Sequence, residues 1–355
     1  MKIAFLSDGR NVHTRRWLDY FSSRGDETLL LTMEQPEEMQ GRVLRLGSVL
    51  PGTWLGCNLA LPRAKRELRA FGPDLVNAHF IPNYGWIASC VAPGPWVMST
   101  WGSDVLVNPG KSAFHRWRAR KVLRAANLIS SDAKMLSAAI GRLAGEDLNV
   151  LTMPMGIDRD YFAHGMAGGP REPLILHNRN LERIYDVGTV LRGLRAFFRI
   201  FPGWRARLAG DGSLRSEMET MAEKLEIRDR VDFLGYLGRD ELMHELSSAR
   251  IYLSASLSDS SSVSLLEAMA MGAYPVLSDI PANREWAPSA PRAMFFRPGK
   301  ADELTTALLE AAALPDETRR AALESNRSLV GERAIWEENM GGIREAFQGL
   351  LEGAA

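Results

Sequence analysis

DSSSVSLLEAMAMGAYPVLSDIPANREW, residues Asp259–Trp286, follows a short apolar run, IYLSA (Ile251–Ala255), that reads as a buried strand. A loop of small residues intervenes, and a helix opens near Ser262. Ser260, Ser261 and Ser262 place hydroxyls beside the unpaired N–H groups of that helix start, where the helix dipole also favours negative charge. The segment reads as an anion site. Glu267 lies within the first two turns of the helix, eight positions after Asp259. Carboxylates on either side of the anion site suit sugar or ribose hydroxyls, which they accept with both oxygens. Ser264–Glu267 also fits the S-x-x-E capping box, in which the glutamate only closes the helix start.

The same rhythm of short apolar run and helical pattern extends over most of the 355 residues. Ile3–Ser7 predicts a first strand, His13–Arg24 a helix stopped by Gly25, and Glu27–Thr32 the next strand. Further strands are predicted at 74–78, 95–100, 127–130 and 149–153. FAHGMAGGPREP (Phe162–Pro173) holds three glycines and two prolines, a density that breaks regular structure and marks an interdomain linker. Strands are then predicted at 173–177, 205–209, 230–234, 250–254, 274–277 and 293–295, with mostly helix from about Asp302 to Leu351. Such alternation predicts an α/β protein of two successive doubly wound parallel sheets, with ligands at the carboxyl ends of the strands. The expected partition is 1–165, 166–330 and a C-terminal helix over 331–355.

Composition removes several function classes. Lys and Arg number 43, as do Asp and Glu, so no bulk charge draws the chain to nucleic acid. Two cysteines, Cys57 and Cys90, give neither a disulfide framework nor zinc-ligand spacing, which fits a reduced, cytoplasmic setting. The apolar start, Ile3–Leu6, meets Asp8 too soon for a secretory signal, and no run approaches the length of a membrane span. Charge is nevertheless uneven. Lys111, Arg116, Arg118, Arg120, Lys121 and Arg124 share the stretch 105–131 with no Asp or Glu. With Phe114 and Trp117 among them, the stretch has the composition of a surface drawn to anionic lipid, or of a solvated helix face. Gly210–Asp211–Gly212 lacks the third glycine of a dinucleotide fingerprint and reads as a tight turn.

The Asp259–Trp286 stretch resembles the donor-binding region of the family 4 glycosyltransferases, the retaining enzymes with the GT-B fold. Their E-x7-E, A-M-A-x-G, P-V, S/T-D and N-R-E elements correspond to Asp259 and Glu267, Ala268–Gly272, Pro275–Val276, Ser278–Asp279 and Asn283–Glu285, with Asp in place of the first Glu. The resemblance implies two Rossmann-like domains whose parallel sheets face across a cleft. It implies that Glu267 holds the ribose and Asp259 the donor sugar, and that Ser260, Ser261, Ser262 and Val263 line the phosphate site.

LILHNRNLERIYDV (Leu174–Val187) is similar to the family's G-R-L turn, whose Arg and following Lys clamp the diphosphate. Arg179 matches the Arg. Ile184 or Tyr185 stands at the Lys position, with Arg183 as the substitute cation. VDFLGYLG (Val231–Gly238) resembles the base-cradling segment, implicating Gly235 and Leu237. SDGRNVHT places Gly9 in the glycine-bearing loop after the first strand, and STWGSD is similar to the H-G-[ST]-D turn with Trp101 replacing His. Trp101 and Asp104 would then lie on the acceptor side. His13 there and His79 as a catalytic group are the candidates to replace the lost His, although a lone histidine is more often structural.

The function implied is metal-independent, retaining transfer from a nucleotide-sugar donor to a glycan or lipid-linked acceptor, by a cytoplasmic protein peripheral to the inner membrane face. No cofactor or metal is expected, since no D-x-D closes a strand in the donor region. Asp158–Asp160 spells one beside the linker and reads as incidental. A sugar-nucleotide epimerase of the same fold and a non-catalytic nucleotide-sugar-binding homologue are the rival readings.

Overall fold

The computed structural model describes residues 1–36, 39–47, 53–165 and 171–353. It contains two all-parallel sheets. The first has seven strands: β1 (Lys2–Leu6), β2 (Glu27–Thr32), β3 (Arg42–Arg45), β4 (Leu75–His79), β5 (Trp96–Ser99), β6 (Leu128–Ser131) and β7 (Val150–Thr152), in the order β3-β2-β1-β4-β5-β6-β7. The second has six: β8 (Glu172–His177), β9 (Arg205–Ala209), β10 (Val231–Gly235), β11 (Ala249–Ser254), β12 (Tyr274–Ser278) and β13 (Met294–Phe296), in the order β10-β9-β8-β11-β12-β13. Parallel strands joined by crossover helices are covered on both faces, so they must be apolar throughout. Ile3–Leu6 and Ile251–Leu253 are fully buried accordingly.

The strand order reverses between β1 and β4 in one sheet and between β8 and β11 in the other. Loops leaving the carboxyl ends on either side of such a point diverge and leave a crevice. Ser7–Gly9 and the turn after His79 flank the first crevice; Asn178–Arg179 and Ser256–Ser262 flank the second.

The chain forms two compact units, Met1–Met153 with Met340–Ala355, and Pro154–Asn339. The division therefore precedes the stretch read as the linker. Its first residues belong to the helix Asp160–Gly165, Pro173 lies in β8, and residues 166–170 are outside the described residues. The helical C-terminal region is three helices, Ala301–Ala313, Asp316–Arg333 and Trp336–Glu352. The last returns to the first unit, where Phe347 stacks on Phe21 at 5.6 Å and Arg344 pairs with the buried Asp26 at 2.8 Å. β3 was not predicted: it is an edge strand of four residues with arginine at both ends. Among the described residues no helix is long and apolar enough to cross a membrane.

Candidate active site

In the second unit, β11 ends and the chain turns through Ser256–Ser261 before the helix Val263–Met271 begins. Ser262 is the N-cap, its Oγ accepting from the Leu265 N–H, and Gly272 in the left-handed region stops the helix. Ser262 rather than Ser264 caps, so no capping box involves Glu267, which sits farther into the helix. The preceding loop is braced from below. Buried Trp286 donates to Ser261 Oγ at 3.0 Å, Ser278 Oγ to the Ser256 carbonyl at 2.6 Å, and Asn283 to the Ser278 carbonyl at 2.8 Å. Arg284 pairs with Asp279, and Glu285 with Arg333. Ser278, Asn283 and Trp286 thus support the serine loop from behind, while Asp279, Arg284 and Glu285 form ion pairs of their own.

Arg179 leaves the end of β8 and reaches across the crevice. Its Nη2 donates to Asp259 Oδ2 at 2.5 Å, and its Nη1 to Ser262 Oγ at 2.8 Å and Ser264 Oγ at 2.7 Å. The Tyr185 ring lies under the guanidinium at 4.3 Å, at the position where a lysine was missing. Burial alone lowers the arginine pKa, but Asp259, with Tyr252 and Tyr185, outweighs it and the net shift is upward. The guanidinium stays charged, and its Nε has no partner. Asp259 Oδ1 accepts from the Ser260 N–H at 3.1 Å, so both oxygens are already engaged. In this structure Asp259 fixes Arg179.

Glu267, half-buried, accepts from Asn178 Nδ2 at 3.4 Å and from the hydroxyl of Tyr161. Burial first, and then the Glu267 charge, push the Tyr161 pKa up, so its hydroxyl remains a donor. Arg183 is exposed on the turn Arg183–Tyr185, and its guanidinium has no partner among the described residues. Gly210, at φ +140°, lies where a Cβ would stand 2.5 Å from the Arg179 carbonyl oxygen, and a Cβ on Gly212 would stand 2.5 Å from that of Leu181. The tight turn therefore lets the Arg179 loop pack close. Gly235 is buried and its carbonyl accepts from the Gly210 N–H at 2.7 Å, while Leu237 is half-buried against the core beneath. Asp158 and Asp160 both pair with Arg239, a structural use of the incidental D-x-D.

The first unit's candidates cluster at the ends of β1, β4 and β5, with different roles from those expected. The Gly9 N–H donates to Thr32 Oγ1 at 3.0 Å, and a Cβ there would meet Pro36 at 2.9 Å; the glycine serves packing, and its N–H is spent. His79 is buried, bonded to Ser7 Oγ at 3.1 Å and Asn77 Oδ1 at 2.6 Å, and its pKa is lowered to about 3 by burial and then His13. A ring so enclosed positions strand ends and does not present a nitrogen to substrate. Asp104 is likewise fully buried, accepting the Trp101 and Ile81 N–H groups at 3.0 and 3.2 Å, so it shapes the turn. Burial raises its pKa to about 6 against these hydrogen bonds. Trp101 packs on His79 at 5.0 Å and on His13 at 5.8 Å, and Trp101 Nε1 and His13 Nδ1 have no partner. Among the described residues no three His, Cys, Asp or Glu side chains group as metal ligands.

Sequence reasoning missed Tyr161, Asn178, Tyr185 and Ser264 as site residues. Tyr185 carried a signal, since it was one of the two residues, with Ile184, at the vacant lysine position. Tyr161 carried none, because it lies beside the stretch read as a linker.

Comparison with known proteins identifies the family. Residues 170–328 match the family described as "Glycosyl transferases group 1", and residues 2–133 match "Glycosyl transferase 4-like". The phosphatidylinositol N-acetylglucosaminyltransferase gpi3 subunit of Schizosaccharomyces pombe is 33% identical over 28% of this chain and 22% of its own length. The sulfoquinovosyl transferase SQD2 of Arabidopsis thaliana is 24% identical over 86% of this chain and 64% of its own. The chain thus spans less than two thirds of either relative. Sucrose-phosphate synthase from Thermosynechococcus elongatus superposes with a TM-score of 0.84 at 17% identity, over 99% of this chain and all of that one. HepE of Anabaena, solved with UDP and glucose, does so with a TM-score of 0.80 at 18% identity, over 98% and 99%. These structural likenesses concern the fold.

Proposed function

We propose that this chain, which belongs to the group 1, family 4-like glycosyltransferases, moves a sugar from a nucleotide-diphosphate sugar to a glycan or lipid-linked acceptor. In this reading the transfer retains anomeric configuration and needs no metal or cofactor. The observation that carries it is Arg179, a buried, charged guanidinium over the serine-rich start of the helix Val263–Met271. As the bond between sugar and diphosphate breaks, negative charge gathers on the leaving phosphate. Arg179, the opening N–H groups at Val263 and Ser264, and the exposed Arg183 offset that charge without a metal ion. Glu267, held by Tyr161 and Asn178, takes the ribose hydroxyls. Asp259 acts on the donor through Arg179.

Among the described residues the carboxylate at the arginine, Asp259, is already bonded through both oxygens, which favours departure and attack on one face, assisted by the leaving phosphate. The complex of HepE with UDP and glucose supports a nucleotide-sugar donor. The relative named for phosphatidylinositol supports a lipid-linked acceptor. In this reading the protein reaches that acceptor from the cytoplasm, peripheral to the membrane.

The test is incubation with UDP-, GDP- and ADP-sugars in EDTA, with the anomer of the product read by NMR. The bound donor identifies itself beforehand by raising the melting temperature. Retained configuration with undiminished turnover is the expected result. Rescue only by Mg²⁺ or Mn²⁺, or an inverted product, overturns the mechanism, and an epimerised donor overturns the transferase reading.

A further inference from the structure

On the first unit, the helices Trp54–Phe71 and Ala113–Ala125 meet at their N-terminal ends. Trp54 contacts Phe114 at 5.9 Å and Phe114 contacts Trp117 at 5.8 Å, yet these rings remain 45%, 43% and 51% exposed. Leu55 and Leu59, on the first turns of the same helix as Trp54, are half or more exposed. Folding leaves this apolar surface in water, though a soluble helix face ordinarily carries polar residues at such positions.

Cations border it. Arg116, Arg120 and Lys121 are exposed around an open groove of about 640 Å³ beside Trp117. The Lys121 ammonium lies over the Trp117 ring at 5.6 Å and over that of Trp86 at 4.8 Å. Arg120 also caps the Leu143 carbonyl, and Arg124 is paired with Glu146 at the far end. Arg118, one of the six cations in this stretch, turns inward and is buried over Phe114. No Asp or Glu occurs in 54–66 or 105–131.

We propose that this two-helix surface docks the protein on an anionic bilayer. The aromatic and leucine side chains enter the headgroup boundary while Arg116, Arg120 and Lys121 face lipid phosphates. Charge selects the occupant: a purely apolar partner would leave three guanidinium and ammonium groups against it unpaired, whereas anionic headgroups satisfy them at the depth where tryptophan rings settle. The inference rests on the lipid-linked-acceptor reading for its purpose, but its evidence is separate from the sugar chemistry.

The experiment is co-sedimentation of the full chain with vesicles of phosphatidylcholine, alone or mixed with phosphatidylglycerol. Wild type is expected to bind the mixed vesicles, not the neutral ones, and to release as salt rises. Arg116→Gln/Lys121→Gln should lose about thirtyfold in partitioning, and Phe114→Ser/Trp117→Ser should lose binding at low salt. All these residues are exposed, so melting temperature and donor affinity should stay at wild-type values. That separates loss of docking from loss of the transferase site: a protein that binds vesicles but transfers no sugar leaves docking standing. Equal binding to neutral vesicles, retention by both variants, or wild type remaining in solution at low salt each overturns the proposal. So does self-association that the same variants abolish in the absence of lipid binding.

Discussion

Arg179 and Asp259, eighty residues apart in the chain, are joined at 2.5 Å, and the same guanidinium holds Ser262 and Ser264. One side chain thereby ties the end of β8 to the loop after β11 and to the helix that follows. The site's cation is fixed before any ligand arrives, so a diphosphate meets a preorganised charge and little reorganisation is needed at reaction.

Asp259→Ala leaves that guanidinium nine-tenths buried with hydroxyl partners only. Removing one side of a buried pair costs about 3–5 kcal/mol, and the two serines should keep the loss near the lower value. Urea unfolding followed by tryptophan fluorescence measures it. Unchanged stability would mean that the carboxylate faces ligand in solution and not Arg179.

Glu267→Ala should raise the donor dissociation constant, since hydrogen bonds to a charged group contribute about 1.5–3 kcal/mol. Tyr161→Phe removes one of the donors that orient the carboxylate and should cost about 0.5–1.5 kcal/mol in the same measurement. Calorimetry with the donor found in the thermal screen reads both. A melting temperature that falls while donor affinity holds would return Glu267 to a purely structural role.

The strands of both sheets were legible because doubly covered parallel strands are unbroken apolar runs, as at Ile3–Leu6 and Ile251–Leu253. Arg42–Arg45 escaped because an edge strand tolerates arginine at each end. The serine loop and Glu267 were legible as a local strand–loop–helix pattern. Pairings across the crevice were not: spacing cannot show that Arg179 lands on Asp259, or that Tyr161 lands on Glu267. Asp104 looked ligand-facing through the resemblance of STWGSD to the H-G-[ST]-D turn, and His79 as a replacement for the lost His of that turn. Only burial reveals that backbone and neighbouring side chains already consume them.

Acid should destabilise each unit below pH 6.5. Burial, the largest cause in each case, lowers His13 and His177 to about 4 and His79 to about 3 from 6.5, so the folded chain keeps them neutral. The unfolded chain protonates them as pH falls through 6.5, and stability is lost down to pH 4. Asp104 acts oppositely: raised from 3.8 to about 6, it is protonated first in the folded chain and regains stability as pH falls through 6. Two histidines against Asp104 leave one proton in the first unit, and His177 leaves one in the second. The expected slope is about 1.4 kcal/mol per pH unit in each between pH 6 and 4. Urea midpoints at intervals of pH give it, and Asp104→Asn should about double the slope in the first unit. A flat wild-type profile across that range would sink the assignment.

Gly210→Ala is the sharpest probe of how the Arg179 loop is held. At φ +140° an alanine is strained by about 1–3 kcal/mol from backbone alone. Its Cβ would also stand 2.5 Å from the Arg179 carbonyl oxygen and 2.9 Å from the carbonyl carbon. Neither atom can rotate aside, and the Gly210 N–H is tethered to the Gly235 carbonyl at 2.7 Å. The loop carrying Arg179 must therefore move, and with it the fork onto Asp259, Ser262 and Ser264. Stability and donor affinity should fall together in this variant. Gly203→Ala is the control, because a Cβ there meets nothing within 4 Å and its φ is not positive. Thermal unfolding and donor calorimetry on both variants decide the matter. If Gly210→Ala matches Gly203→Ala in both, the close approach of these two loops does not set the position of Arg179.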